Sequence, residues 1–447
     1  MTTPSKEAPV RRTVPAEMTI PDAVELAVGL QKGGLLDAAE EIYRRILAGV
    51  PDHADSLHFL GLSRHERGLH EEAIALVQRA VAAAPEHADA HNNLGNMYLE
   101  QGRVDEAEAQ YRRVLALRPE HPGAHTNLGS VLRRKDDKAG AEVSFRRAIE
   151  LDDEHAEAYH NLGSILRDTG RSHEALTAYQ RALTLRPYDG ESYRRVGATL
   201  YAVGRVDEAV GVYKSWLNLE PDNAVAKHML ASCSGDEVPA RASDDFVRTT
   251  FDSFAASFDH VLGRLQYRAP ALVGDAVAAA LATASATLDV LDAGAGTGLC
   301  APFLRPYARR LVGIDLSKEM LFRAKTRGGY DALETAELTA YMRAHPAAFD
   351  LVVSADTLCY FGDLSEAASS AAAALRPGGH LVFTVEHLAP ESAVGFQINP
   401  HGRYSHGEDY VRRTLTAAGL GALSIQRAHL RIENMLPVEG LLVTARR

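Results

Sequence analysis

The stretch Asp292-Ala-Gly294-Ala-Gly296-Thr-Gly298 follows the apolar run Leu-Asp-Val-Leu over 288–291. Glycines on alternate positions admit positive φ and place no side chain between the backbone and a ligand. A helix opening after such a turn presents free N–H groups and a dipole that favour a negative or polar group. Asp315 closes a second apolar run, Arg-Leu-Val-Gly-Ile-Asp over 310–315. A carboxylate there can accept both hydroxyls of a ribose. The chemistry on offer is the binding of a nucleoside-bearing small molecule. Cys233, Cys300 and Cys359 lie in separate segments and form neither a disulfide framework nor a paired metal motif. Cys300 and Cys359 are expected to be buried small residues beside the ligand, not nucleophiles.

Strands are needed to hold this turn. β-rich runs fall at 288–293, 310–315, 349–355, 379–386, 422–428 and 439–445, with a weaker one at 335–338. Helical stretches separate most of them, which predicts an α/β domain with a doubly wound, mostly parallel sheet of seven strands. The last two runs leave no room for a helix between them and predict an antiparallel edge.

The dinucleotide fingerprint G-x-G-x-x-G/A fails when counted from Gly294, because Leu299 takes its third place; counted from Gly296 it ends on Ala301, two residues late. The spacing from Asp292 through Gly298 instead resembles the first motif of class I S-adenosylmethionine-dependent methyltransferases. "IDLSKEML", "AEL", "FDLVVSADTLCYF" and "LRPGGHLVF" follow in that family's order, over roughly residues 245–447. The resemblance implies a Rossmann-like fold, S-adenosylmethionine as cofactor and S-adenosylhomocysteine as product. It implies that Asp292, Gly294, Gly296 and Gly298 shape the turn and that Asp315 takes the ribose. Leu316 and Met320 would flank the adenine, Glu337 would take its amino group, and Leu338 and Asp356 would also belong to the cofactor site. The ends of this half resemble a bacterial group of methyltransferases that also carry tetratricopeptide repeats. There the early helices fold over the cofactor, so Tyr267 or Arg268 could meet its carboxylate; a packing tyrosine and a surface arginine are the plain alternative.

A methyl group on a sulfonium is already activated, so the enzyme aligns a nucleophile and excludes water. The D/N-P-P-Y signature of exocyclic-amine methylation is absent; "ADTLCY" stands there and leaves Asp356 as a candidate. "NPHGRYSH" supplies the further candidates His401, Arg403, Tyr404 and His406. An arginine among aromatics and histidines suits a carboxylate-bearing acceptor; a solvated loop is the other reading. The catalytic residues stay open.

The first half has a different logic. Pro51, Pro85, Pro119, Pro187 and Pro221 keep a step of 34, with Asp153 in the missing place. Gly61, Gly95, Gly129, Gly163 and Gly197 keep the same step, as does the column Tyr43, Val77, Tyr111, Phe145, Tyr179 and Tyr213. Six such units resemble tetratricopeptide repeats, helix pairs that stack into an α-solenoid. Small residues are expected where the two helices of a unit cross, with the aromatic column between units. His53, His87, His121 and His155 lie a unit apart, too far to share a metal; no metal is expected. Asn93, Asn127 and Asn161 fall on the first helix of three units, while Glu25, Phe59 and Arg195 hold that place elsewhere. This asparagine series is similar to that of O-linked N-acetylglucosamine transferase, whose amides hold an extended peptide. Either these amides bind a partner's backbone, or asparagine is simply common in this column.

The 447 residues carry a net charge of −11, of which the first 239 residues hold −9. An acidic repeat region argues against nucleic acid as partner. No run is long and apolar enough for a membrane span, and cytosol is the expected compartment. Residues 1–19 are expected to be a disordered leader, 20–236 the solenoid with a capping helix, and 237–447 the methyltransferase domain with its N-terminal cap helices. Three functions fit: a methyltransferase whose solenoid recruits a protein or peptide; a small-molecule methyltransferase whose solenoid dimerises or docks; and a non-catalytic adaptor.

Overall fold

The computed structural model describes residues 18–281, 283–389, 394–433 and 436–447. Residues 1–17 of the expected leader lie outside them. Thr19 is already the cap of the first helix, its hydroxyl accepting from the Asp22 N–H at 3.3 Å. Two compact units divide between Pro187 and Tyr188.

The first unit is made of helix pairs: α1 (Ile20–Lys32) with α2 (Leu36–Gly49), α3 (Ala54–Glu66) with α4 (His70–Ala83), α5 (Ala88–Glu100) with α6 (Val104–Leu117), α7 (Pro122–Arg134) with α8 (Lys138–Leu151), and α9 (Ala156–Asp168) with α10 (Ser172–Leu185). The repeated glycine marks the close crossing inside each pair. A Cβ on Gly95 would lie 2.7 Å from Tyr111, on Gly129 2.6 Å from Phe145, and on Gly163 2.8 Å from Tyr179. The aromatic column, expected between units, therefore packs on the glycine of its own unit. The tyrosine hydroxyls reach the residue after that glycine, Tyr111 to Asn96 at 2.7 Å and Tyr179 to Ser164 at 3.1 Å.

Three members of the histidine column cap their first helices, and His155 does not. Nδ1 of His53, His87 and His121 accepts the N–H three residues on, at 3.3, 3.4 and 3.1 Å. Asp189 and Asn223, one and two repeats after His155, cap in the same way.

The second unit begins with α11 (Gly190–Ala202) and α12 (Val206–Leu219), followed by α13 (Ala224–Ser234). His228 of α13 is buried and donates from Nε2 to the Gly402 carbonyl at 2.8 Å. Next come α14 (Asp244–Phe254), α15 (Phe258–Arg264) and α16 (Ala269–Leu281). The sheet then alternates with helices: β1 (Leu288–Ala293), α17 (Ala301–Leu304), β2 (Ala308–Asp315), α18 (Lys318–Arg327), β3 (Ala332–Thr335), α19 (Leu338–Ala344), β4 (Phe349–Ser354), α20 (Ser365–Ala374), β5 (Leu375–His387), β6 (Phe396–Ile398), β7 (Tyr404–His406), α21 (Glu408–Ala417), β8 (Gly421–Glu433) and β9 (Leu436–Arg446).

The order β3-β2-β1-β4-β5 is parallel; β9 lies antiparallel to β5 and β8 antiparallel to β9. The antiparallel edge is thus present. The weak strand expected at 335–338 lies at 332–335, and β6 and β7, absent from the expectation, pair at the end of β5. Alternate residues of the central strands feed two cores. Val290, Leu351, Val353 and Val382 face α16 and α17; Leu291, Val352, Leu381 and Phe383 face α19 and α20. Burial on both faces explains why these strands read as unbroken apolar runs.

Candidate functional site

Chain order reverses between β1 and β4, so the turns at their carboxyl ends part and open a crevice. A cavity of about 280 Å³ lies there, lined by the residues that follow β1, β2, β3 and β4. Gly294 has φ 89° and Gly296 φ 54°. A Cβ on Gly294 would collide with Thr357, so this glycine lets the turns after β1 and β4 close up. A Cβ on Gly296 would meet nothing within 4 Å. That open space lies at the cavity wall and is room for a ligand pressed against the backbone. Gly298 turns away from the cavity, with Tyr330 and Ala324 at 3.2 and 3.3 Å from its would-be Cβ.

Asp292 lies beneath the turn, fully buried, with Oδ2 accepting from the Tyr330 hydroxyl at 2.6 Å. Burial raises its pKa to about 7 in spite of that bond. Asp315 ends β2 and is held by two backbone donors, Gly296 N–H to Oδ2 and Ser317 N–H to Oδ1, both at 2.9 Å. Each oxygen keeps a lone pair for a ligand hydroxyl. Burial raises its pKa, the N–H bonds opposing. Leu316, Met320 and Leu338 line the same end. Glu337 lines it too, but its carboxylate caps α19: Oε1 accepts from Thr339 N–H, and Oε2 from Thr339 Oγ1 and Ala340 N–H. Only Oε1 retains a free lone pair for a ligand amino group.

The helices before the sheet roof the cavity with Phe251, Phe254 and Phe258. Two carboxylates tie this roof to the ligand turns. Asp259 accepts from Thr297 Oγ1 at 2.6 Å and pairs with Arg327 at 2.5 Å; Asp252 accepts from Ser317 Oγ at 2.5 Å. Tyr267 lines the cavity; Arg268 is exposed and outside its lining, so the structure does not bring it to the ligand.

Opposite the glycine turn stands a group of charges. Arg431 donates to Asp356 Oδ2 at 2.7 Å, to Glu433 Oε1 at 2.6 Å and to Glu386 Oε1. Arg403 donates to Glu386 Oε1 at 2.6 Å and to both oxygens of Glu433 at 2.8 Å. A register shift in β8 between His429 and Arg431 sets Arg431 there. Burial opposes the charge of Glu433, but Arg403 and Arg431 outweigh it and hold its pKa at about 2. Burial prevails at Asp356 and raises its pKa despite Arg431. Asp356 has φ 55°, its N–H donating to Thr384 Oγ1 at 2.8 Å, and its Oδ1 is buried with no hydrogen-bond partner.

Of the residues singled out in "NPHGRYSH", only Arg403 lines the cavity. Its Nε is engaged by Glu386 and its Nη2 by Glu433. Tyr404 is buried and donates to the Pro239 carbonyl at 2.8 Å; His406 is buried and donates to the Gly362 carbonyl at 3.1 Å. His401 lies 3.5 Å from Glu386 Oε2, outside the lining. Sequence reasoning missed Arg431, Glu386 and Glu433, because a charge alternating with apolar residues in a strand reads as its solvated face. Cys300 lines the cavity, and burial pushes the thiols of Cys300 and Cys359 well up, as inert small residues require.

The asparagine series makes bonds between neighbouring repeats. Asn127 Nδ2 donates to Asn92 and Asn96 at 3.1 and 3.2 Å, and Asn93 Nδ2 lies 2.9 Å from His58 Nε2. Asn161 is half-buried like the other two. His65, His70 and Glu100 bring potential ligand atoms within 4.8 Å of one another. The 2.7 Å contact of His65 Nε2 with Glu100 accounts for much of that closeness without an ion. No helix among the described residues is long and apolar enough to cross a membrane.

Comparison with known proteins agrees with this geometry. Residues 291–383 match the family model described as a methyltransferase domain. The malonyl-[acyl-carrier protein] O-methyltransferase of Salmonella typhimurium is 30% identical over 146 residues, 32% of this chain and 55% of that protein. A ubiquinone biosynthesis O-methyltransferase of Vibrio cholerae is 28% identical over 135 residues, 27% of this chain and 54% of that one. The chain spans about half the length of the curated relatives it matches. Among solved structures, MamA is 27% identical with a TM-score of 0.35, covering 37% of this chain and 96% of MamA. Residues 23–252, just over half of the chain, match the model described as the cilia and flagella-associated protein 70 C-terminal domain. The chain belongs to that family of tetratricopeptide-repeat proteins and joins to its repeats a methyltransferase domain.

Proposed function

We propose that the chain is an S-adenosylmethionine-dependent methyltransferase whose repeats recruit a protein or peptide acceptor. One observation carries the first part: Gly296 opens onto the cavity where Asp315, fixed by two backbone N–H groups, faces it from the next strand. S-adenosylmethionine supplies, when bound, a methyl group activated by its sulfonium. The turn of Gly294 and Gly296 admits its methionine part, Asp315 takes the ribose, and Leu316, Met320 and Leu338 border the base. The phenylalanine roof, tied down by Asp252 and Asp259, excludes water. Asp356 and Tyr267 line the same cavity.

The repeats support recruitment through physical attachment, since tethering raises the local concentration of a bound chain. Replacing Asn93, Asn127 and Asn161 together by alanine is expected to raise KM for a long acceptor and leave kcat and cofactor affinity unchanged, because uniform binding is lost. Labelled cofactor added to host lysate with this protein should mark a protein. A second reading, a small-molecule methyltransferase whose repeats dimerise or dock, draws on the Asn127 amide being turned to its neighbouring repeat. Label confined to small molecules, with kinetics unchanged in the triple variant, would put that reading first.

A further inference from the structure

The charges opposite the glycine turn do not cancel. Two guanidinium groups, Arg403 and Arg431, face three carboxylates, Asp356, Glu386 and Glu433. Packing against the cluster and then the Arg403 charge push the pKa of His401 below its ordinary value, so this neighbour is neutral at pH 7 and adds nothing. Counted as formal charges, with Asp356 ionised, the group carries one negative in excess. A buried, uncompensated charge is costly, and the ligand that removes the cost is a cation.

The carboxylate oxygen left without a partner is buried, and it can be named. Glu386 Oε1 accepts from both arginines, and its Oε2 lies 3.5 Å from both Asn399 Nδ2 and His401 Nε2. Glu433 is bonded at both oxygens. Asp356 is bonded at Oδ2 only. Beside it the cavity wall carries Phe251 and Tyr360, edge to face at 5.5 Å, and aromatic faces attract a cation. An anionic acceptor would add to the excess charge and find Arg431 engaged at all three nitrogens and Arg403 at Nε and Nη2. A neutral hydroxyl would leave the excess in place.

We infer that the methyl acceptor is an amine and that Asp356 is the carboxylate that receives its proton. This rests on the cofactor reading above. An alkylammonium entering the site satisfies Asp356 and neutralises the cluster. It cannot attack carbon while protonated. Transfer of one N–H proton to the carboxylate leaves the electron pair on nitrogen and a neutral carboxyl on Asp356; that pair would form the nitrogen–methyl bond as the carbon–sulfur bond breaks, whose electrons stay on sulfur. Burial, which raises the pKa of Asp356, favours that transfer.

Sinefungin tests this without turnover, because it carries a primary amine where the cofactor carries its methyl. Calorimetric titration of the full chain is expected to show sinefungin binding at least about ten-fold more tightly than S-adenosylhomocysteine, the size of one charge-assisted hydrogen bond. In Asp356→Asn the ratio of the two affinities should fall to about one, whatever change the variant makes to both ligands alike. Equal binding of the two by the wild-type chain overturns the inference with no variant needed. So does a preference that survives in Asp356→Asn. If neither compound binds, the cofactor reading itself is wrong.

Discussion

Replacing Arg431 by methionine is expected to destabilise the second unit by about 3–5 kcal/mol at pH 8, the usual cost of removing one partner from a buried ion group. The side chain is 3% exposed and pairs with three carboxylates, so methionine fills its volume and leaves those charges around Arg403 alone. The pH dependence gives the sign. Glu433 has its folded pKa depressed to about 2, below its ordinary value. Its contribution to stability is therefore present above the ordinary carboxylate pKa and is lost as pH falls through about 2. Without Arg431 the carboxylates protonate at higher pH, which relieves their repulsion. The gap between variant and wild type should be widest at pH 8 and should narrow toward pH 4. Urea unfolding at the two pH values measures it. A loss below about 1 kcal/mol at pH 8 would mean that the group is solvated and that its charges do not shape the cavity.

Asp315→Ala is expected to weaken S-adenosylhomocysteine binding by about 2–3 kcal/mol, roughly 30- to 150-fold, through the lost bonds to the ribose. The same change strips Gly296 and Ser317 of the acceptor for their N–H groups, so the glycine turn loses its fixed shape as well. Asp315→Asn should fall between, since its amide keeps one acceptor oxygen but sets an N–H donor against a backbone donor. Equilibrium dialysis with labelled ligand separates the three proteins. Unchanged affinity in Asp315→Ala would detach this carboxylate from the cofactor site.

Local pattern reached the elements that are buried on both faces. β1 was placed to the residue, and β2, β4 and β5 within a few residues, because their apolar runs have no other use; the mostly exposed edge strand β8 runs five residues past its expected end. β6 and β7 have three residues each and no such pattern. The repeat period located every helix pair, yet not the capping role of the histidine column. Its function as a cap depends on a ring nitrogen meeting the N–H three residues on. Asp315 and the glycines were legible because their spacing is local. The charged wall was not. Arg431, Glu386 and Asp356 come from three strand ends, brought together by sheet order alone. Asp252 and Asp259 likewise read as surface acids on cap helices until their partners on the ligand turns are seen.

The central claim is that this cavity holds S-adenosylmethionine. Isothermal titration of the full chain with S-adenosylhomocysteine tests it most directly, with a nicotinamide dinucleotide as the parallel ligand. The account predicts one S-adenosylhomocysteine per chain and no heat from the dinucleotide. Saturable binding of the dinucleotide, with none of S-adenosylhomocysteine, would contradict it.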